Sequence, residues 1–100
     1  MLELNIKGAV MFTIPRVNVI KSDEGFSIEV LGMTGLKYTQ NGKSLRINSE
    51  ILRGHPDIMI DTKSIVKWET GEAINISLRK QIIDNLSRAF KFRGVEIDFR

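Results

Sequence analysis

Only one stretch of this chain shows a helical hydrophobic period. From Ser77 onward, Leu78, Ile82, Leu86, Ala89 and Phe90, with Ile83 alongside, recur at helical spacing. Ser77 is the expected N-cap and Gly94 the expected residue just past the C-terminus. A helix from Leu78 to Arg93 would be roughly 24 Å long at 1.5 Å per residue. One amphipathic helix can cover one face of one sheet. The expected fold is therefore α+β: an antiparallel meander of about six or seven short strands under one C-terminal amphipathic helix, with a final strand after it.

The strand signals fit that frame. Val17 and Val19 precede the turn-like "KSDEG", and Phe26, Ile28 and Val30 follow it with Ser27 and Glu29 between them. In "GLKYTQNGKSLRIN", Asn41-Gly42 supplies the positive φ angles of a tight hairpin turn, flanked by Leu36, Tyr38, Leu45 and Ile47. Leu2, Leu4 and Ile6 alternate as an N-terminal strand would. "DIMI" and "SIVKW" read as two short strands joined by "DTK", and Val95, Ile97 and Phe99 alternate in a last one. No repeat or linker divides the 100 residues, so residues 1–100 read as one domain.

Composition narrows the function classes. With 42% hydrophobic residues and a mean hydropathy of -0.08, the chain is that of an ordinary globular domain. The opening "MLELNIKGAVMFTIPR" is interrupted by Glu3, Lys7 and Arg16, unlike a signal peptide, and no apolar run approaches the ~18 residues of a membrane span. The reading is cytoplasmic. The formal charge is +3, unevenly spread: residues 50–76 carry a net -2 and residues 77–94 a net +4. That is polarity between surfaces, not a uniformly basic protein.

Catalytic chemistry is hard to assemble from these residues. There is no cysteine, and His55, within "RGHP", is the lone imidazole. His/Cys nucleophilic pairs and multi-histidine zinc sites are thereby excluded, and no cofactor is expected. Asp57 and Asp61 bracket "IMI"; in a strand they would stand ~13 Å apart at ~3.3 Å per residue, too far to share one metal ion. His55 is then a solvated loop residue or a partner contact. Arg79, Lys80, Arg88, Lys91 and Arg93 fall outside the apolar stripe of the helix. Arg79 and Lys80 stand in its first turn, against the helix dipole, which suggests an anionic neighbour. No RNP-type motif accompanies these charges, so nucleic acid is a poor fit. Trp68 reads as a core anchor or, alternatively, as an interface hot spot.

Taken in order, "NGKSLRINSEIL", "DIMI", "SIVKW", "RKQIIDNL" and "FRGVEIDF" resemble the immunity protein 74 family, antidotes encoded beside polymorphic or contact-dependent toxins of bacteria. The similarity spans roughly residues 17–100 and is clearest from Asn41 onward. Its most specific pieces are Glu50-Ile-Leu, Ser64-Ile-x-x-Trp68 and Ile82-Ile83. The family often has a proline between the tryptophan and the helix, whereas "ETGEAINIS" has none. The resemblance implies an inhibitor, not an enzyme: it docks as a monomer on a cognate toxin domain and blocks its active site. On that reading Glu50, Trp68, Ile82 and Ile83 are scaffold. Recognition falls to loop residues Arg53, His55, Asp57, Asp61, Glu69 and Glu72, with Arg79, Lys80 and Arg88 as a second surface. Many such toxins are nucleases, and an acidic patch would mimic their phosphate substrate. The alternative function is a small basic RNA-binding protein.

Overall fold

A two-residue turn sets the register of the sheet. Asn41 (φ 51°) and Gly42 (φ 81°) both adopt positive φ, and Gln40 pairs directly with Lys43 across them. This geometry matches the right-handed twist of the flanking strands. It joins β4 (Thr34–Gln40) to β5 (Lys43–Ile51) and places Leu36, Tyr38, Leu45 and Ile47 on one buried face. The computed structural model describes residues 10–100. The predicted strand over Leu2, Leu4 and Ile6 lies outside them.

The other strands add in chain order. β1 (Phe12–Arg16), β2 (Val19–Ser22), β3 (Phe26–Val30), β4, β5 and β6 (Ile58–Ile60) form an antiparallel meander. α1 (Ile76–Arg93) then crosses the sheet, and β7 (Ile97–Phe99) returns parallel to β6 at the end of the seven-stranded order. A helical crossover brings the chain back to the end it left, so the last pairing has to be parallel. The α+β expectation of one sheet, one helix and a last strand holds.

Three details differ from the sequence reading. Val17 is not a strand residue but part of the turn between β1 and β2, 82% exposed. The N-cap of α1 is Asn75 and not Ser77: its Oδ1 accepts from Leu78 N at 2.8 Å, which starts the helix at Ile76. "SIVKW" is not a ladder strand. Asp61 accepts from Lys63 N at 3.0 Å and Ser64 Oγ donates to Asp61 O at 2.6 Å, winding Thr62–Ser64 into a 3-10 turn. The following residues fold back on themselves, with Trp68 N donating to Glu72 O and Ile74 N to Val66 O. The segment still lies along β5, tied by Asn48 N to Ser64 Oγ at 2.9 Å and by Glu69 N to Ser44 O at 2.8 Å. It covers the stretch of β5 that three-residue β6 is too short to pair.

The core lies between α1 and the sheet. Ile82, Leu86, Ala89 and Phe90 of the helix meet Ile28, Leu36, Ile47 and Ile60 of the strands. Aromatic contacts run from Phe92 through Phe12, Phe26 and Tyr38 to Trp68, with ring centroids 5.3–6.4 Å apart. Trp68 ends that run at 4% exposure. Trp68→Ala should therefore lower unfolding stability by roughly 3–5 kcal/mol in urea titration. That is a large share of the ~5–15 kcal/mol typical of domains. A shift below ~1 kcal/mol would remove Trp68 from the core.

Candidate functional site

The helix does not present one basic face. Arg79 and Arg88 are nine positions apart, about two and a half turns, and so point to opposite sides. Arg79 Nη2 donates to Thr62 O at 3.0 Å, so its neighbour is a neutral backbone carbonyl and not the expected anion. Arg88 Nη2 donates to Asn85 Oδ1 at 2.6 Å and to Glu24 Oε1 at 3.2 Å, and its Nε lies 3.2 Å from Asp84. Both guanidinium groups bind the helix to its surroundings. Lys80 and Lys91, eleven positions apart, share the exposed outer stripe.

The acidic segment is divided as well. Glu72 pairs with Lys43 Nζ at 2.7 Å beside the β4–β5 turn, with exposed Glu69 close by in sequence. Asp57 sits at the opposite end of β5, where Ile51 pairs with Ile58. Eight residue steps along β5 separate these places by about 26 Å. Asp61 stands between them with its carboxylate on Lys63 N. Asp57 Oδ2 accepts from Glu96 N at 2.8 Å, latching the start of β6 to β7. Glu50 is exposed on β5, opposite Thr34 and Met59. Ile82 is fully buried and Ile83 half-buried in α1.

What gathers at the Asp57 end is a surface no single motif announces. The β1–β2 turn, the β3–β4 turn and the β5–β6 loop all lie there, because a meander turns at alternate ends. Backbone bonds join them side by side: Val30 N to Asn18 O, Ile51 N to Met33 O, Leu52 N to Asp57 O and Asp57 N to Glu96 O. Val17, Leu31, Met33 and Ile51 are exposed along this row, Met33 at 67%. Val17, Leu31 and Met33 lie on turns, where polar residues are the rule, and Ile51 ends β5, so this exposed apolar row is a candidate interaction surface. Arg53 is exposed at its rim, with no ion-pair partner among the described residues.

His55 belongs to this rim. Its Nδ1 is hydrogen-bonded to Glu96 Oε1, and both side chains are mostly exposed. The hydrogen bond to Glu96 first, then the charges of Glu96 and Asp57, raise the imidazole pKa above its ordinary value. The charged pair is therefore fully formed below the ordinary histidine range and is lost as pH rises through the raised pKa. As the sole histidine, His55 should give a single, unambiguous pair of ring C–H resonances whose shifts follow its titration in NMR. Its midpoint should fall in Glu96→Gln; an unchanged midpoint would separate the two groups. His55→Ala should leave the fold intact and change partner affinity by less than ~2 kcal/mol, as rim contacts do.

A buried polar chain holds helix and sheet together, and the sequence reading did not anticipate it. Tyr38 Oη donates to Gln40 Oε1 and accepts from Asn85 Nδ2 at 2.9 Å, and Asn85 Oδ1 accepts from Arg88. The available signal was Asn85 itself, a polar residue three positions after Ile82 on the apolar stripe. Burial pushes the Tyr38 phenol from 10.0 up to about 12, against the smaller opposing pulls of Asn85 and Arg88. A phenol that keeps its proton in the fold but loses it when unfolded makes stability fall as pH rises between those values. Below the lower one the contribution is constant. Tyr38 is the only tyrosine, so ultraviolet titration reads it directly. The native midpoint should lie well above that in urea; coincident midpoints would contradict the burial.

Among the described residues, seven strands and one helix make a small α+β domain, with an exposed apolar row at the end where Arg53 and His55 lie. The model of the family described as immunity protein 74 matches residues 27–100, from within β3 through β7. The chain belongs to the immunity protein 74 family. Membership implies an antitoxin role exercised by binding a toxin partner. No curated protein and no solved structure shows a significant match. Among the described residues, no helix is long and apolar enough to cross a membrane.

Proposed function

We propose that this protein is a cytoplasmic antitoxin without turnover of its own. It neutralises the toxin domain of a contact-dependent growth inhibition or related polymorphic toxin system by covering its active site. The observation that carries this reading is the family match across β3 to β7. The docking surface we assign is the turn end of the sheet. Leu31, Met33 and Ile51 form its apolar centre, and Arg53, His55, Glu50 and Glu96 its charged margin. An apolar centre with a polar rim is the usual anatomy of a protein interface. The toxin class we assign is a nuclease: exposed carboxylates at that margin would stand where the substrate phosphate binds. Charge also speeds the encounter.

The test compares three double variants in cells expressing the toxin and in binding titrations at low and high salt. Leu31→Asp with Met33→Asp should abolish protection, because both side chains are exposed and the fold does not need them. Glu69→Lys with Glu72→Lys, at the far end of β5, should cost less than about tenfold in Kd. Lys80→Glu with Gln81→Glu, both exposed on α1, should cost as little. RNA binding that falls steeply with salt and disappears only in the helix variant would replace the antitoxin reading with the nucleic-acid one.

A further inference from the structure

β7 is the last strand of the described sheet, and its outer edge pairs with no strand among the described residues. Ile58 N donates to Glu96 O at 3.1 Å, and Arg100 N to Ile60 O at 2.9 Å. Alternating residues of a strand direct their backbone groups to opposite sides. Residues 96, 98 and 100 thus face β6, while the N–H and C=O of Ile97 and Phe99 face outward. Beside this edge runs a groove of about 540 Å³, lined by Ser87 and Lys91 of α1 and by Val95, Glu96, Ile97 and Phe99. Bounded by Ser87 and Lys91 of α1 on one side and by β7 on the other, it lies where the inward side chains of an eighth strand would sit.

We infer that the open edge of β7, with the groove under α1, receives an extended segment of the toxin as an added strand, an inference that rests on the antitoxin reading above. Four backbone groups are available for pairing, and the groove takes apolar side chains on either side of the segment's centre. Adding a strand to a sheet edge draws affinity from main-chain bonds and specificity from such pockets. Charge argues against a second copy as the occupant. The antiparallel two-fold register that uses all four groups pairs residue 97 with 99 and sets Asp98 directly opposite its own copy. Like charges placed so are destabilising. A toxin segment reading apolar, basic, apolar would instead present a cation to Asp98 and two apolar side chains to the groove.

The experiment is residue-resolved amide exchange by NMR on the full chain, alone and saturated with the inactivated toxin domain encoded by the adjoining gene. Affinity is measured alongside for Ser87→Trp and Ile97→Pro. The tryptophan fills the groove from an exposed helix position. The proline removes an outward N–H without touching the bonds to β6. In the complex, the Ile97 and Phe99 amides should slow by more than about tenfold, and Ser87→Trp should weaken binding by at least as much. The Arg100 amide, already bonded to Ile60, serves as the internal reference. Should Ile97→Pro fail to fold, Ser87→Trp still decides. Tight toxin binding with unchanged exchange at Ile97 and Phe99 would overturn the strand-addition inference alone. Absence of toxin binding by the wild type would overturn the antitoxin reading and this inference with it. Protection that rises with protein concentration in the absence of toxin would assign the edge to a second copy and overturn it too.

Discussion

The hydrogen bond between Tyr38 and Asn85 fixes where the helix lies on the sheet. Apolar burial drives α1 onto the concave face but is non-directional, so Ile82, Leu86, Ala89 and Phe90 could slide over Ile28, Leu36 and Ile47 at little cost. A buried amide left without its partner costs ~1–3 kcal/mol, and that penalty removes the alternatives. Asn85 satisfies Tyr38 on one side and Arg88 on the other, and Arg88 reaches on to Glu24. The chain of bonds thus runs from the middle of β4 across the helix to the β2–β3 turn. Trp68 and Phe26 stack on either side of Tyr38, so the polar point is enclosed by the best-packed part of the core.

Where local chemistry was decisive, the fold could be read from residues alone. Asn41-Gly42 permits few backbone solutions, and the stripe from Leu78 to Phe90 has one period. Both features, and the C-terminal glycine of the helix, stand where the sequence places them. Segment 61–74 was misread because "SIVKW" alternates as a strand does. Its course is set by side-chain to backbone bonds of Asp61 and Ser64, which compete with a ladder and win over so short a run. Val17 was misread for a related reason. Its apolar character suits a strand, but the pairing of Arg16 with Val19 leaves no room for it in the ladder.

The candidate surface was legible only in part, because charge along a chain is not charge on a face. The net -2 of residues 50–76 suggested one acidic patch, yet β5 holds its two ends apart and Lys43 compensates Glu72. The +4 of residues 77–94 suggested one basic face, yet helical geometry splits Arg79 from Arg88 and gives both of them internal partners. Arg53 and His55 were proposed from their loop context, and both are exposed in the loop between β5 and β6. Leu31, Met33 and Ile51 were not proposed. Each is an unremarkable apolar residue in sequence, and only the side-by-side stacking of meander turns makes them a row.

The two edges of the described sheet are built differently, and the difference bears on recognition. Exposed edge strands invite uncontrolled pairing, and proteins blunt them with proline, charge or brevity. β1 carries Pro15, which withdraws a donor from that strand. β7 has no proline, and two apolar residues alternate around its single Asp98. Its protection is brevity together with that aspartate, which opposes pairing with an identical strand while attracting a basic one. An edge guarded in this way discriminates against its own copies and still leaves its backbone open to a complementary chain. The turn row begins where β7 begins, at the Asp57–Glu96 latch. A partner seated on the apolar turns therefore has the open edge within reach. Both surfaces lie outside the contact of Tyr38 with Asn85, so either can be resurfaced for a different partner without disturbing what holds the helix to the sheet.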